Sequence, residues 1–120
     1  MSEKFTLGKR VKSFHYAFAG LRDLFIGQHN ARIHLLACLV VIIAGWLAGI
    51  SGLEWLVLIL TLALVLMAEA MNTAVEYLAD ACVPELHPLV EKAKDIAAAA
   101  VLICAIASLF IAAIIFLPKL

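Results

Sequence analysis

Three long apolar runs constrain this chain more than any other feature. They cover about 33–50 (IHLLACLVVIIAGWLAGI), 53–81 and 96–117. Each is long enough, at 1.5 Å per helical residue, to cross a hydrocarbon core of about 30 Å. In a chain of 120 residues that is 66% hydrophobic, with a mean hydropathy of +1.09, so much apolar surface cannot be hidden inside a soluble core. The reading is an all-α integral membrane protein with three transmembrane helices, spanning 33–120, preceded by a surface region at 1–32.

Residues 1–32 are polar and basic, but Phe5, Leu7, Val11, Phe14, Tyr16, Phe18, Leu21, Leu24 and Phe25 recur at spacings near three and four. This spacing predicts one or two amphipathic helices lying on the membrane surface or packed on the spans. About thirty mixed-charge residues ahead of the first long run do not resemble a cleaved signal peptide. A short turn at Ser51-Gly52 separates the first two runs, and a polar loop around Pro84 and Pro88 separates the second and third.

Charge distribution predicts orientation. Lys4, Lys9, Arg10, Lys12, Arg22 and Arg32 precede the first span, and Lys92 and Lys94 lie between the second and third. The outer turn has no Lys or Arg and is flanked by Trp46 and Trp55. The positive-inside rule therefore puts the N-terminus and second loop in the cytoplasm and the C-terminus outside. With a formal net charge of zero, no global field points to nucleic acid. Cys38, Cys82 and Cys104 are odd in number and form no CxxC, so they read as small hydrophobes rather than a disulfide or zinc framework.

The chemistry lies in AEAMNTAVEYLAD on the second run. Glu69, Asn72, Glu76 and Asp80 are three, four and four residues apart. At 100° per residue the three acids fall within about 40° of arc, with Asn72 beside them. A carboxylate at membrane depth costs at least about 2.5–3.5 kcal/mol on insertion scales. A helix–helix hydrogen-bonding seam is the plain alternative, but three stacked acids repel one another unless something positive sits among them. The segment EKAKD supplies Lys94 and Asp95, which a folded-back loop brings toward the Asp80 end of the stripe. Carboxylates, an amide and a lysine at one interface suit a magnesium–nucleotide site. Neither a Walker A sequence nor GxGxxG is present. From the residues alone, a small proton-coupled transporter remains compatible with intramembrane acids.

AEAMNTAVE followed by AD, the loop ELHPL and then AKDIAAAAVL closely resembles the prokaryotic diacylglycerol kinase family over nearly the whole chain. NARIHL and the IFLPKL ending look most like its undecaprenol kinase branch. The resemblance implies a homotrimer in the bacterial inner membrane. Active sites form between its subunits and transfer the γ-phosphoryl of ATP, with Mg²⁺, to the hydroxyl of undecaprenol or diacylglycerol. It implies Glu69 as catalytic base, Asn72 as its support and Glu76 as metal ligand. It also implies nucleotide contacts at Lys94, Asp95, Glu85, Leu86, His87, Lys9 and Tyr16, with Asp80 in the same site. One position departs from the pattern. The family carries a second metal-binding Glu before the first span, where GQHNARIH has Gln28. Three readings stay open: weaker metal binding through Glu76, phosphate oxygens and water with Gln28 in the second ligand's place, compensation by an acid such as Asp23, or a catalytically weakened scaffold of the kinase fold. His29 and His34 stack poorly at spacing five and read as interfacial, and His15 carries no assignment.

Overall fold

A computed structural model describes residues 4–120. The order is α1 (Leu7–Gly27), α2 (His29–Ala48), α3 (Gly52–Cys82) and α4 (Pro88–Phe116), closed by a 3-10 turn at Leu117–Lys119. Among the described residues there is no strand, and α2, α3 and the stretch Pro88–Lys119 are each long and apolar enough to span a membrane.

Caps rather than hydropathy set the helix ends, so α2 and α4 begin four and eight residues ahead of their apolar stretches while α2 stops two residues short of its own. The Thr6 hydroxyl accepts from the Lys9 amide and starts α1. Gln28, in extended backbone, both ends α1 and precedes α2, so one residue makes the bend between them. The predicted turn shifts by two residues. Gly49 closes α2 with φ +64°, a conformation that glycine adopts without a Cβ penalty, and Gly52 already belongs to α3. Ser51 and Glu54 then form a reciprocal capping box. His87 Nδ1 accepts from the Leu89 amide, and Pro88 occupies the first turn of α4, where its missing N–H costs nothing.

α3 packs most extensively against α4 and more lightly against α2. On α2 the buried residues are Ala31, Cys38 and Gly45, one every seven and all small. Small residues let membrane helices approach closely. α3 answers with a buried row of Leu58, Thr61, Val65, Glu69 and Thr73. At the far end a Cβ on Gly45 would meet the Trp55 ring at 2.9 Å, so glycine is required by that approach. Ile50, Leu58 and Ile115 form the core, with Trp55 and Phe116 packed on it. Most other large apolar side chains, among them Leu36, Leu60, Leu102 and Phe110, face outward. That is a surface solvated by acyl chains rather than water.

The two ends of the bundle differ. At one end Lys119 Nζ donates to Glu54 Oε2 at 3.1 Å, tying the chain terminus to the start of α3. At the other end Gln28 reaches Tyr77 of α3, and the α3–α4 loop folds over the acid-bearing end of that helix.

Candidate active site

The length of α3 sorts the acidic stripe by depth. Its 31 residues extend about 46 Å, some 16 Å more than a hydrocarbon core. Counted from the Gly52 end, about 20 residues cross that core, which brings Glu69 and Asn72 to its far boundary. Glu76 and Asp80 lie about 10 Å and 16 Å beyond Glu69 along the axis, clear of the hydrocarbon. Burial follows the same gradient. Glu69 is 3% exposed, Glu76 is half-buried and Asp80 is exposed.

Glu69 is pressed against α2. His34 Nε2 lies 3.5 Å from Glu69 Oε2. One turn along α3, Asn72 Oδ1 is buried and has no hydrogen-bond partner among the described residues. A buried amide oxygen left without a donor is costly, which marks this turn of α3 as a place for a further polar group. The buried acid and orphaned amide thus share one turn of helix.

Farther along, a cleft of about 380 Å³ opens between the end of α3, the loop and the start of α4. Glu76, Asp80, Glu85, Glu91 and Asp95 line it, together with Lys94. Lys94 Nζ donates to Asp80 Oδ1 at 2.6 Å, bridging α4 to α3 across the cleft. Leu86 and His87 complete the loop wall. The structure therefore brings Glu76, Asp80, Glu85, Leu86, His87, Lys94 and Asp95 around a single cleft, while Glu69 and Asn72 stand deeper.

Other candidate residues fall elsewhere within the protomer. Lys9 and Tyr16 are exposed on the first half of α1, outside the cleft lining. Gln28 Nε2 donates to Tyr77 Oη at 3.0 Å, a contact between residues 49 apart in sequence. Asp23 borders a separate, mainly apolar groove of about 380 Å³ between α1 and α3, with Leu24, Ala70 and Tyr77. It does not reach the acid-lined cleft, so compensation for Gln28 by Asp23 finds no support within one protomer.

The donors fit magnesium in one specific sense. Among the described residues no three His, Cys, Asp or Glu side chains converge on one point, so the protein alone builds no metal cage. Mg²⁺ prefers few protein ligands, commonly one or two carboxylates, with phosphate oxygens and water completing the octahedron. Glu76 in an acid-lined cleft beside a lysine meets that requirement.

His34 is the residue that the reading by residue type missed. Residue type reads it as interfacial, and the structure adds that its ring lies against the buried acid. The signal lay in the α2 seam. His34 follows Ala31 by three and precedes Cys38 by four, so a titratable ring sits on the buried face.

Residues 15–116 match the family model for prokaryotic diacylglycerol kinase. An undecaprenol kinase of Bacillus subtilis is 37% identical over 95% of this chain and 93% of its own length. A diacylglycerol kinase of Synechocystis is 41% identical over 90% of this chain, which spans 62% of that longer relative. A diacylglycerol kinase of Escherichia coli is 36% identical over 80% of this chain and 79% of its own length. These relatives favour neither the transporter nor the scaffold reading.

Proposed function

This chain belongs to the prokaryotic diacylglycerol kinase family and is a lipid kinase, and from that premise we propose that it moves the γ-phosphoryl of ATP to the hydroxyl of a membrane lipid alcohol in a Mg²⁺-dependent reaction. The observation that carries this reading is the separation of two environments on one helix. A buried acid with an orphaned amide lies at the hydrocarbon boundary, and an acid-and-lysine cleft lies about 10 Å beyond it.

Glu69 accepts the proton of the lipid hydroxyl during attack. A carboxylate is basic enough for this when the hydroxyl lies within hydrogen-bond reach. Asn72, one turn along, can donate its amide N–H to the lipid oxygen and hold the acceptor in line. Lys94, already turned toward the cleft by Asp80, offsets phosphate charge, and Glu85, Leu86, His87 and Asp95 wall the nucleotide. Glu76 is the carboxylate that would hold Mg²⁺, with the Gln28 carboxamide oxygen as a neutral second donor. When bound, the ion supplies charge neutralisation on the phosphates. Phosphoryl transfer needs mainly positioning and neutralisation, so no covalent enzyme intermediate is required.

We further assign a homotrimer. Lys9 and Tyr16 do not line the cleft of their own protomer, while the loop residues Glu85, Leu86 and His87 are exposed. A neighbouring subunit's surface helix would bring Lys9 and Tyr16 to the nucleotide. α1 lies along the cytoplasmic face of a bacterial inner membrane, the α3–α4 loop shares that side, and the C-terminus is outside. Undecaprenol is the favoured acceptor, from NARIHL, IFLPKL and the similarity to the Bacillus undecaprenol kinase. Diacylglycerol presents its hydroxyl at the same depth.

The test is ADP formation by purified protein with undecaprenol and diacylglycerol supplied separately over a range of Mg²⁺ concentrations. ADP should form only when a lipid alcohol is present, with phospholipid product in equal amount. ADP release indifferent to lipid, or none at any Mg²⁺ level, defeats the reading.

A further inference from the structure

Glu69 is an unusual place to leave a proton. At 3% exposure it has almost no contact with solvent, so a proton taken from a hydroxyl there has no direct way out. Its neighbour is better connected. The His34 side chain is 24% exposed against 4% for that of Glu69, and His34 lies five residues, about 7 Å, from the start of α2. His34 also lines a cavity of about 130 Å³ between α2, α3 and α4, with Thr61 and Ser108. Thr61 Oγ1 donates to Val57 O and Ser108 Oγ donates to Ala105 O, so both hydroxyl protons are already held by backbone carbonyls. The rest of its lining, Leu58, Leu62 and Val65 among it, is apolar, so the way out for a proton is the exposed edge of the His34 ring rather than this cavity.

We infer that His34 is a positioning and proton-relay residue for Glu69. The inference rests on Glu69 being the base. In the transfer step the lipid O–H bond breaks and its proton goes to Glu69. The lipid oxygen forms the new O–P bond, and ADP leaves with the electron pair of the broken Pγ–O bond. Glu69, now neutral, gives the proton to the Nε2 lone pair of His34 across the 3.5 Å contact. Imidazolium then loses it to water, restoring both side chains. The sum is ATP and lipid alcohol to ADP, lipid phosphate and one proton. Nε2 must be the bare nitrogen at the start, which puts the resting proton on Nδ1. Between turnovers the ring also fixes the rotamer of a carboxylate that has few other polar neighbours.

Rapid-quench kinetics with His34→Gln separates relay from packing, because glutamine fills similar space but accepts no proton. In that variant the first equivalent of lipid phosphate per site should form at close to the wild-type rate. Steady-state turnover should then fall by roughly 10²-fold, the low end of general acid–base effects, with the ATP KM unchanged. In His34→Ala, added imidazole should restore steady-state turnover in proportion to its concentration. Steady-state turnover of His34→Gln equal to wild type, a first turnover slowed as much as later ones, or no response of His34→Ala to imidazole would overturn the relay. Failure of the underlying reading looks different: Glu69→Gln would then keep its turnover, which removes both base and relay.

Discussion

Replacing Gly45 with alanine tests whether α2 and α3 meet as closely as the structure has them. The new Cβ would lie 2.9 Å from Cη2 and 3.3 Å from Cζ2 of Trp55, and 3.1 Å from Cδ1 of Ile50. Carbon atoms pack at about 3.5–4.0 Å, so the methyl overlaps the indole by roughly 0.6 Å. The tip of Ile50 can swing away, but the indole is a rigid plate held against the core. Overpacking of this kind costs about 1–3 kcal/mol. Alanine recovers about 0.8–1.0 kcal/mol over glycine in a helix interior, so the net loss is about 1 kcal/mol. The compensating variant is Trp55→Phe, which removes the atoms that collide. In that background Gly45→Ala should be neutral or stabilising by up to about 1 kcal/mol. The coupling between the two sites should therefore be about 1–3 kcal/mol in a double-mutant cycle. Loss of helicity during titration of mixed micelles with a denaturing detergent measures all four proteins. Equal destabilisation by Gly45→Ala with Trp55 and with Phe at that position would refute the collision, as would no destabilisation with Trp55.

Other perturbations follow from the site. Glu69→Gln should lower lipid phosphorylation by at least roughly 10²-fold while light scattering finds the oligomer unchanged, and retained phosphorylation would remove Glu69 from its role. Lys94→Ala should raise the ATP KM by roughly tenfold or more, with the lipid KM unmoved, in steady-state assays. An equal rise in both would mean a disordered cleft rather than a lost phosphate contact. Gln28→Glu should shift the Mg²⁺ titration of activity to lower concentration, and an unmoved titration would argue against a metal role for position 28. Lys119→Ala breaks the tie to Glu54 at the far end and should lower the thermal midpoint slightly with kcat intact; a fall in kcat would connect that end to the chemistry.

How much of this was legible in the sequence depended on which physical signal each feature left. The all-helical fold and its three apolar helices are written in hydropathy, because a bilayer imposes length and composition directly. The common face of Glu69, Glu76 and Asp80 is written in their spacing. Their differing environments are not, because a one-dimensional period carries no depth; helix length and burial separate the deep acid from the cleft acids. The Gln28–Tyr77 hydrogen bond joins residues 49 apart and left no local pattern. The turn shifted because Gly49 closes α2 in a left-handed conformation, leaving Ser51 free to cap α3. His34 was readable in principle from the period of α2, but a lone histidine on an apolar helix attracts attention only once the opposing face is known to carry an acid.

The uninterrupted run of α3 from one rim to the other makes it a ruler. Its start is fixed by the Ser51–Glu54 capping box, so the depth of Glu69 is set by distance along the helix from the opposite leaflet. Thinner or thicker bilayers must tilt that ruler or deform around it. Reconstitution in vesicles of graded acyl-chain length should thus give turnover that peaks at one thickness and declines on both sides, with the optimum marking where the reactive hydroxyl and the carboxylate come level.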